Sequence, residues 1–409
     1  VFLSDLLNEW IFAHADEAAA FLAALVRCPS DHPPGDCAAH ADLAAGLLEG
    51  LGFVVERHVV PAELVRAHGM VRATNLVVRH RFGPGKVVAL NAHGDVVPPG
   101  DGWSVDPYGA VVRDGWLYGR GAAVSKSDFA TYAFALKALV ETKAALAGTV
   151  ELHFTYDEES GGEIGPAWLL GQGISKPDFA ICAGFSYTVV EAHNGCLHLE
   201  VILRGRSAHA ARPESGADAL AAAHAVLTAL YAERDRLAGE MSAVPGIGSK
   251  KLTVGLIAGG TNTNVVPDKV VLRLDRRIVP DEDAGEAEAG LRRLIEAAVA
   301  RLEGITADIR LVLLAAPLVK LPGAARLSAL LCRHAASVFG EAVMASGSPL
   351  YTDARHYAAA GVPVVLYGAG PRSIELANAH RADERLPLAD LTRATAVVAA
   401  ALRDLLTPA

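Results

Sequence analysis

His93 and Asp95, in "HGD", close the apolar run "KVVALNAH", whose β-branched residues predict a buried strand. Side chains two apart on a strand share a face. An imidazole that binds a metal usually gives its other N–H to a carboxylate, which fixes its tautomer. A His-x-Asp pair at the carboxyl end of a parallel strand therefore suits a ligand and the group that orients it. Such strand ends are also where open α/β sheets place their sites. The plainer alternative is a histidine that caps a strand with an aspartate for company. A second run, "TVELHFTY", leads into Asp157, Glu158 and Glu159 of "DEES". Three adjacent carboxylates repel one another unless solvent or a cation offsets them. Either this is a solvated loop, or the acids divide the work: one binds a metal and the next takes a proton from the attacking water. Gly161 and Gly162 follow and permit a tight turn. His380, in "NAHRADE", comes after the Gly-rich "YGAGP" and a third strand-like run. Alone it is a weak signal; as a third metal-type residue at a third strand end it adds to the other two. "GRGAAV", residues 119–124, resembles a dinucleotide fingerprint only superficially, because the third glycine and a convincing βα start are missing.

These residues need strands to hold them, and the pattern supplies strands. "EAAAFLAALVRC" and "AAHADLAAGLLEGLGF" carry apolar residues at helical spacing, and "VVERHVV" predicts a strand. Between "KVVALNAH" and "TVELHFTY", the stretch "SDFATYAFALKALVETKAAL" predicts a helix capped by Ser127 or Asp128. "PDFAICAG" predicts another buried strand, so the first half is an α/β sheet with crossovers. The character changes near residue 196. "CLHLEVILRG" alternates, a helix follows from about Ala217 to Leu237, then "KLTVGLIAGG", "KVVLRLDRRIV", the helix "GEAEAGLRRLIEAAVARLEG" and the strand "ADIRLVLLA". Strand, helix, strand, strand, helix, strand is a ferredoxin-like split βαβ order. After Pro317 the α/β pattern resumes with "ARLSALLCRHAASVFG", "PVVLYGAG" and "LADLTRATAVVAAALRDLL". The boundaries expected are 1–195 with 314–409 for the α/β domain and 196–313 for an inserted domain.

Bulk properties narrow the function. A chain of 409 residues is long enough for two domains. The formal net charge is −9 with no Lys/Arg run, which argues against nucleic acid. Five scattered cysteines without a CxxC pair suggest a reducing, cytoplasmic setting. The N-terminal stretch is amphipathic and acidic, unlike a signal peptide. No apolar run is long and charge-free enough to span a bilayer, so no membrane partner is expected.

The pieces, in order, resemble the aminoacylase, acetylornithine deacetylase and succinyl-diaminopimelate desuccinylase family of metallopeptidases, to which bacterial glutamate carboxypeptidase also belongs. The resemblance runs from "CPSDHPPGD" through "HGDVVPPGDGWSVDPYGAVVRDGWLYGRG", "DEESGG", "RGRSAHAARPESGADAL", "GGTNTNVVPDKVVLRLDRR" and "TDARHY" to "AHRADE". It implies a zinc-binding α/β catalytic domain interrupted by a smaller α+β domain serving as lid and dimer surface. Carried over by residue, it implies that His93, Glu159 and His380 are metal ligands, that Asp95 orients His93, and that Glu158 is the general base. It implies that His209 reaches the other subunit's site and steadies the oxyanion. Asn264, Arg277 and Arg355 would hold the substrate, Arg277 through a carboxylate.

The family's bridging acid sits three residues after "GRG", and here that position is Val124. A further family ligand, usually a Glu before Pro, falls at Gly184 in "ICAGFSY". Three explanations stand. The chain binds one metal through Glu159, His380 and a shifted His93, since two histidines and a carboxylate suffice for a catalytic zinc. Or Asp128, Glu163, Glu191, His193 or Cys182 substitutes. Or catalysis is lost and the pocket only binds. The expected function is metal-dependent hydrolysis of an amide bond in a small N-acyl amino acid or dipeptide-like molecule bearing a carboxylate, by a homodimer using zinc, one ion rather than two. The alternatives are a non-catalytic binding homologue and an amidohydrolase of altered reaction type.

Overall fold

A computed structural model describes residues 3–408. They form two compact units, one reaching to Glu191 and including Lys320–Ser346 and Thr352 onward, the other made of Ala192–Val319 with Gly347–Tyr351.

The larger unit opens with helices α1 (Leu3–Ala13), α2 (Ala15–Val26) and α3 (Ala38–Gly50). Next come β1 (Val55–Val59), α4 (Ala62–Ala67), β2 (Thr74–Arg81), β3 (Val87–His93), β4 (Val111–Arg113) and β5 (Trp116–Tyr118). Then follow α5 (Lys126–Glu141), β6 (Thr149–Thr155), α6 (Pro166–Gly171), β7 (Phe179–Cys182) and β8 (Thr188–His193). The smaller unit contains β9 (Gly195–Arg204), α7 (Ala219–Ala238), β10 (Lys251–Gly259), β11 (Lys269–Ile278), α8 (Ala284–Val299) and β12 (Thr306–Ala315). Beyond it lie α9 (Ala324–Phe339), β13 (Met344–Ser348), α10 (Ala354–Ala359), β14 (Val364–Leu366), α11 (Ile374–Ala377), β15 (Arg385–Pro387) and α12 (Leu388–Leu406).

The large sheet has the order β1-β2-β6-β3-β7-β14-β8-β13. Its centre, β6-β3-β7-β14, is parallel. β3 and β6 are buried at every position after the first, so both faces are covered, as their β-branched and apolar composition requires. α5 packs on β3 and β6, with α12 beside it and α2 on its other flank. The sheet is mixed where the apolar runs predict only parallel strands. β2 is antiparallel to β6 and β1 to β2. β2, "TNLVVRHR", escapes the apolar pattern because its second half is polar; only its first half is buried. The helix expected to be capped by Ser127 or Asp128 begins earlier: Ser125 is its N-cap and Asp128 lies in its first turn, fully buried.

A buried polar cluster fixes the register of β6. His153 bonds Tyr357 Oη through Nδ1 at 2.7 Å and Glu151 through Nε2 at 3.0 Å, while Arg79 of β2 donates to Glu151 at 2.8 Å. Burial pushes the Glu151 carboxyl up, but His153, Ser175 and Arg79 outweigh it and hold the group down at about 2.

In the smaller unit all strand pairs are antiparallel and the order is β10-β11-β9-β12, the ferredoxin-like arrangement the element order predicts. Leu197, Leu199, Val201 and Leu203 of β9 point into a core with α7 and α8. On α8, Leu291, Ile295 and Val299 are buried four residues apart, which makes one apolar stripe. Asp218 and Asp283 cap α7 and α8 by accepting first-turn amides.

Glu151 titrates below its unfolded value of 4.5, so its contribution is present above that pH and is lost as the pH falls toward 2. Glu151→Gln should therefore cost about 2–3 kcal/mol at pH 7. The gap from wild type in thermal unfolding should narrow at pH 3; a gap of equal size at both pH values would contradict this.

Candidate active site

β3 and β6 run parallel and end together, with His93 opposite Thr155. Gly94 N donates to Thr155 O at 2.9 Å, which holds the two strand ends side by side as they leave the sheet. That pairing brings "HGD" beside "DEES". Asp157, Glu158 and Glu159 then enter a single 3-10 turn, Glu158–Ser160, closed by Gly161 at φ 118° and Gly162 at φ 72°. A Cβ on Gly162 would meet Asp353 Oδ1 at 2.1 Å and His356 Nε2 at 2.7 Å, so the turn needs glycine twice over.

The ligand atoms of His93, Glu158 and Glu159 all lie within 4.8 Å of one another. His93 Nε2 is 3.8 Å from Glu158, and His380 Nε2 is 3.1 Å from Glu159 Oε1. The structure thus gathers the two imidazoles and two glutamates that the sequence singles out. His93 Nδ1 faces the backbone carbonyl of Asp95 at 2.9 Å, with the Asp95 carboxylate at 3.4 Å. That contact leaves Nε2 as the ring atom turned toward the acids. The Asp95 carboxylate itself accepts the backbone amides of Glu158 at 3.3 Å and Glu159 at 3.0 Å. One aspartate therefore sets both the histidine ring and the glutamate turn.

His380 reaches the cluster from a loop under strain. Asn378, His380 and Asp383 all have φ between 49° and 59°. A non-glycine residue in this region costs of order 1–3 kcal/mol and persists only where its surroundings impose it. The surroundings here are Arg120 and Glu384. Glu384 is fully buried, pairs with Arg120 at 2.6 Å, and accepts the amides of Ala123 at 3.0 Å and Val124 at 3.1 Å. β15 pairs with β5, so the 378–384 loop is fixed against the 119–124 loop. Glu384 stands in the quoted "NAHRADE", but nothing in the sequence pattern assigns it a task. Its signal would have been Arg120 in "GRG", a buried cation that needs a carboxylate.

Val124, where the resemblance puts the bridging acid, offers no ligand atom. At Gly184 a Cβ would stand 2.9 Å from Tyr367 N, so the backbone is too close for any side chain without a shift. The five possible substitutes have other engagements. Asp128 accepts Gly184 N at 3.0 Å and Ala369 N at 2.7 Å, and burial pushes its pKa up to about 8. Glu163 is half-exposed beside Arg355 at 3.3 Å, and Glu191 bonds Lys320 and Ser328, both at 2.8 Å. Cys182 is buried, and His193 Nδ1 meets Asn194 O at 2.8 Å. None of the five joins the group around His93.

The remaining candidates sit as follows. Arg355 is buried and its guanidinium donates to Gly161 O. In the smaller unit His209 is exposed, and its Nδ1 accepts the Ala211 amide at 3.1 Å. Asn264 accepts the Ala210 amide through its backbone carbonyl, and Arg277 pairs with Asp275 at 3.0 Å.

The electrostatics call for a cation. Burial, reinforced by Asp353 and Asp95, pushes the Asp157 carboxyl well above its ordinary range. Burial carries Glu158 to about 8 against the pull of His93. Burial lowers His93, yet Glu158, Asp95 and Glu159 together raise it well above a free imidazole. Glu159 Oε1 is buried with no hydrogen bond of good geometry. A buried carboxylate oxygen facing the His380 imidazole at 3.1 Å, in a group that also holds His93, fits a divalent ion, for which N and O donors of this kind are the usual partners.

Comparison with known proteins places the chain in a family. The family model described as Peptidase family M20/M25/M40 matches residues 89–404. A succinyl-diaminopimelate desuccinylase of Gluconacetobacter diazotrophicus is 30% identical over 394 residues, 93% of this chain and 95% of that protein. The yeast di-peptidase Dug1p from Saccharomyces cerevisiae superposes with a TM-score of 0.80 at 15% identity, covering 98% of each chain. The Bacillus subtilis YXEP protein, described as a dinuclear metal binding peptidase of the M20 family, superposes with a TM-score of 0.70 at 18% identity over 96% of this chain and 99% of that one.

Because Asp95 aims both His93 and the 158–159 turn, Asp95→Ala should weaken divalent-metal binding by about 10–100-fold. Competitive titration against a chelator measures this; an affinity within twofold of wild type would remove Asp95 from that role.

Proposed function

The chain belongs to peptidase family M20/M25/M40, and from that premise we propose that it hydrolyses the amide bond of a small N-acyl amino acid or dipeptide-like substrate at the centre formed by His93, Glu158, Glu159 and His380. As a member of the family it is a divalent-metal-dependent hydrolase. The observation that carries the proposal is the convergence of His93, Glu158 and Glu159 within 4.8 Å, with His380 3.1 Å from Glu159.

His93, Glu159 and His380 would hold a divalent ion, and such an ion would supply Lewis-acid polarisation of the scissile carbonyl and a more acidic attacking water. Two imidazoles and a carboxylate form a zinc donor set with an open position. With valine at 124 and glycine at 184, our reading is one ion here rather than two. Glu158 takes the proton of the attacking water and passes it to the leaving nitrogen. Its carboxyl stands 3.8 Å from His93 Nε2, at the centre where the attacking water would lie.

The smaller domain acts in this reading as lid and as the surface of a homodimer. His209 accepts the Ala211 amide at Nδ1, which leaves its proton on Nε2. An outward Nε2–H on an exposed ring suits stabilisation of a developing oxyanion in the other subunit's centre. Asn264, Arg277 and Arg355 bind the substrate, with the planar fork of Arg277 on its carboxylate. Lid closure excludes bulk water from the reaction. The net charge of −9 and the five free cysteines support a cytoplasmic enzyme without a nucleic-acid partner. No described helix is long and apolar enough to cross a membrane.

Glu158→Gln should lower kcat on N-succinyl or N-acetyl amino acids by about two to four orders of magnitude. KM and far-UV circular dichroism should stay close to wild type. Dialysis against chelator should abolish turnover and zinc should restore it. Unchanged kcat in Glu158→Gln would remove this residue from the chemistry.

A further inference from the structure

The alternation of β9 sends Leu197 and Leu199 into the domain core and puts Cys196 and His198 on the opposite face, two residues apart and side by side. The register then adds a third donor: Asp275 of β11 lies directly across from His198, and Arg277 directly across from Cys196. Sγ of Cys196 is 3.1 Å from His198 Nε2, His198 Nε2 is 3.2 Å from Asp275 Oδ2, and Cys196 Sγ is 3.9 Å from that same oxygen. A tetrahedral zinc ion, with Zn–S of about 2.3 Å and Zn–N or Zn–O of about 2.0 Å, spaces its donors by roughly 3.3–3.6 Å. Two edges of the triangle, 3.1 and 3.2 Å, fall slightly short of that spacing and the third, 3.9 Å, slightly exceeds it, so shifts of a few tenths of an ångström would seat the ion.

Hydrogen bonding alone serves the carboxylate of this triangle, which also takes Arg277 Nη2 at 3.2 Å, better than its sulfur. Both the sulfur and the carboxylate oxygen face one nitrogen, Nε2. A single N–H pointed at one of them is turned away from the other, and 3.9 Å is at the far limit for an S–H donor. One cation at the centre of the triangle meets all three atoms. Cys196 is buried, while the His198 and Asp275 side chains are 36% and 29% exposed, so the donors form a cup with one open side. Arg277 grips the carboxylate with both prongs, Nε to Oδ1 at 3.0 Å and Nη2 to Oδ2 at 3.2 Å, which fixes the angle at which the remaining lone pair of Oδ2 is presented.

We propose that Cys196, His198 and Asp275 form a second metal site, in the inserted domain, that takes one zinc-like divalent transition ion with water in the fourth position. The donor set is sulfur, nitrogen and oxygen. It selects zinc or cobalt over magnesium or calcium, which prefer oxygen alone. Binding releases the thiol proton and any proton on Nε2 to solvent, so the ion is held by a thiolate, a neutral imidazole and a carboxylate. The site is separate in sequence and in donor chemistry from the centre at His93, whose residues include no sulfur, and it stands whether or not that centre is catalytic.

The test is cobalt(II) loading of the full-length, chelator-stripped protein in thiol-free buffer. Wild type should develop a thiolate-to-cobalt charge-transfer band in the near ultraviolet. The band should persist in His380→Ala, which touches only the other centre. It should vanish in Cys196→Ser, and His198→Ala should weaken zinc binding at this site by at least about tenfold. His198→Ala serves as the independent probe where Cys196→Ser fails to fold by circular dichroism. Magnesium should produce no change. A wild-type protein without the band, or a band of equal strength in folded Cys196→Ser or in His198→Ala, overturns the proposal.

Discussion

Buried carboxylates that need a positive partner are the constraint around which the larger domain is arranged. Asp95, Asp157 and Asp353 are almost wholly buried, and Glu158 and Glu159 nearly so, all near the ends of β3 and β6. A carboxylate taken out of water without compensation neutralises itself instead of staying charged. Burial drives Asp157, Asp353 and Glu158 that way. The chain offsets this with backbone amides, which serve Asp95 and Asp157, and with His93. Glu159 Oε1 has the His380 imidazole at 3.1 Å, and a divalent ion would complete the set.

Holding such a set requires rigid supports on every side. The strand ends supply two of them, since parallel pairing of β3 with β6 leaves His93 and the acidic turn no independent freedom. The third is the Arg120–Glu384 pair, buried on both partners. A buried pair of this kind adds little net stability but is costly to break, because the survivor is left charged and alone. It is therefore suited to locking two loops in one arrangement. The left-handed backbone at His380 is the visible cost of that lock.

Much of this was legible in the residues. The His-x-Asp at one strand end and the paired glutamates at the next follow from apolar runs that stop at charged residues, and the structure brings both to one place. The ferredoxin-like order was readable because the strands of the smaller domain alternate cleanly over a single helical layer. What stayed hidden depends on distance in sequence. Glu384 lies 264 positions from Arg120 and carries no periodic signal. β2 reads as polar because Arg79 spends its charge on Glu56 and Glu151, inside the fold. Asp128 looked like a cap or a spare ligand; only the fold reveals that two distant amides already fill its oxygens.

The two donor clusters differ in the property that decides what an ion can do. Around His93 the donors are nitrogen and oxygen, and Glu158 stands among them, 3.8 Å from His93 Nε2. Around Cys196 the sulfur donor is charge-rich and soft, and Arg277, across from it on β11, is tied to Asp275. A thiolate ligand makes the ion a weaker Lewis acid by donating more charge to it. The site at β9 and β11 is thus built to hold an ion across two strands. The site at the ends of β3 and β6 is suited, on the proposed reading, to use one, with Glu158 as its general base.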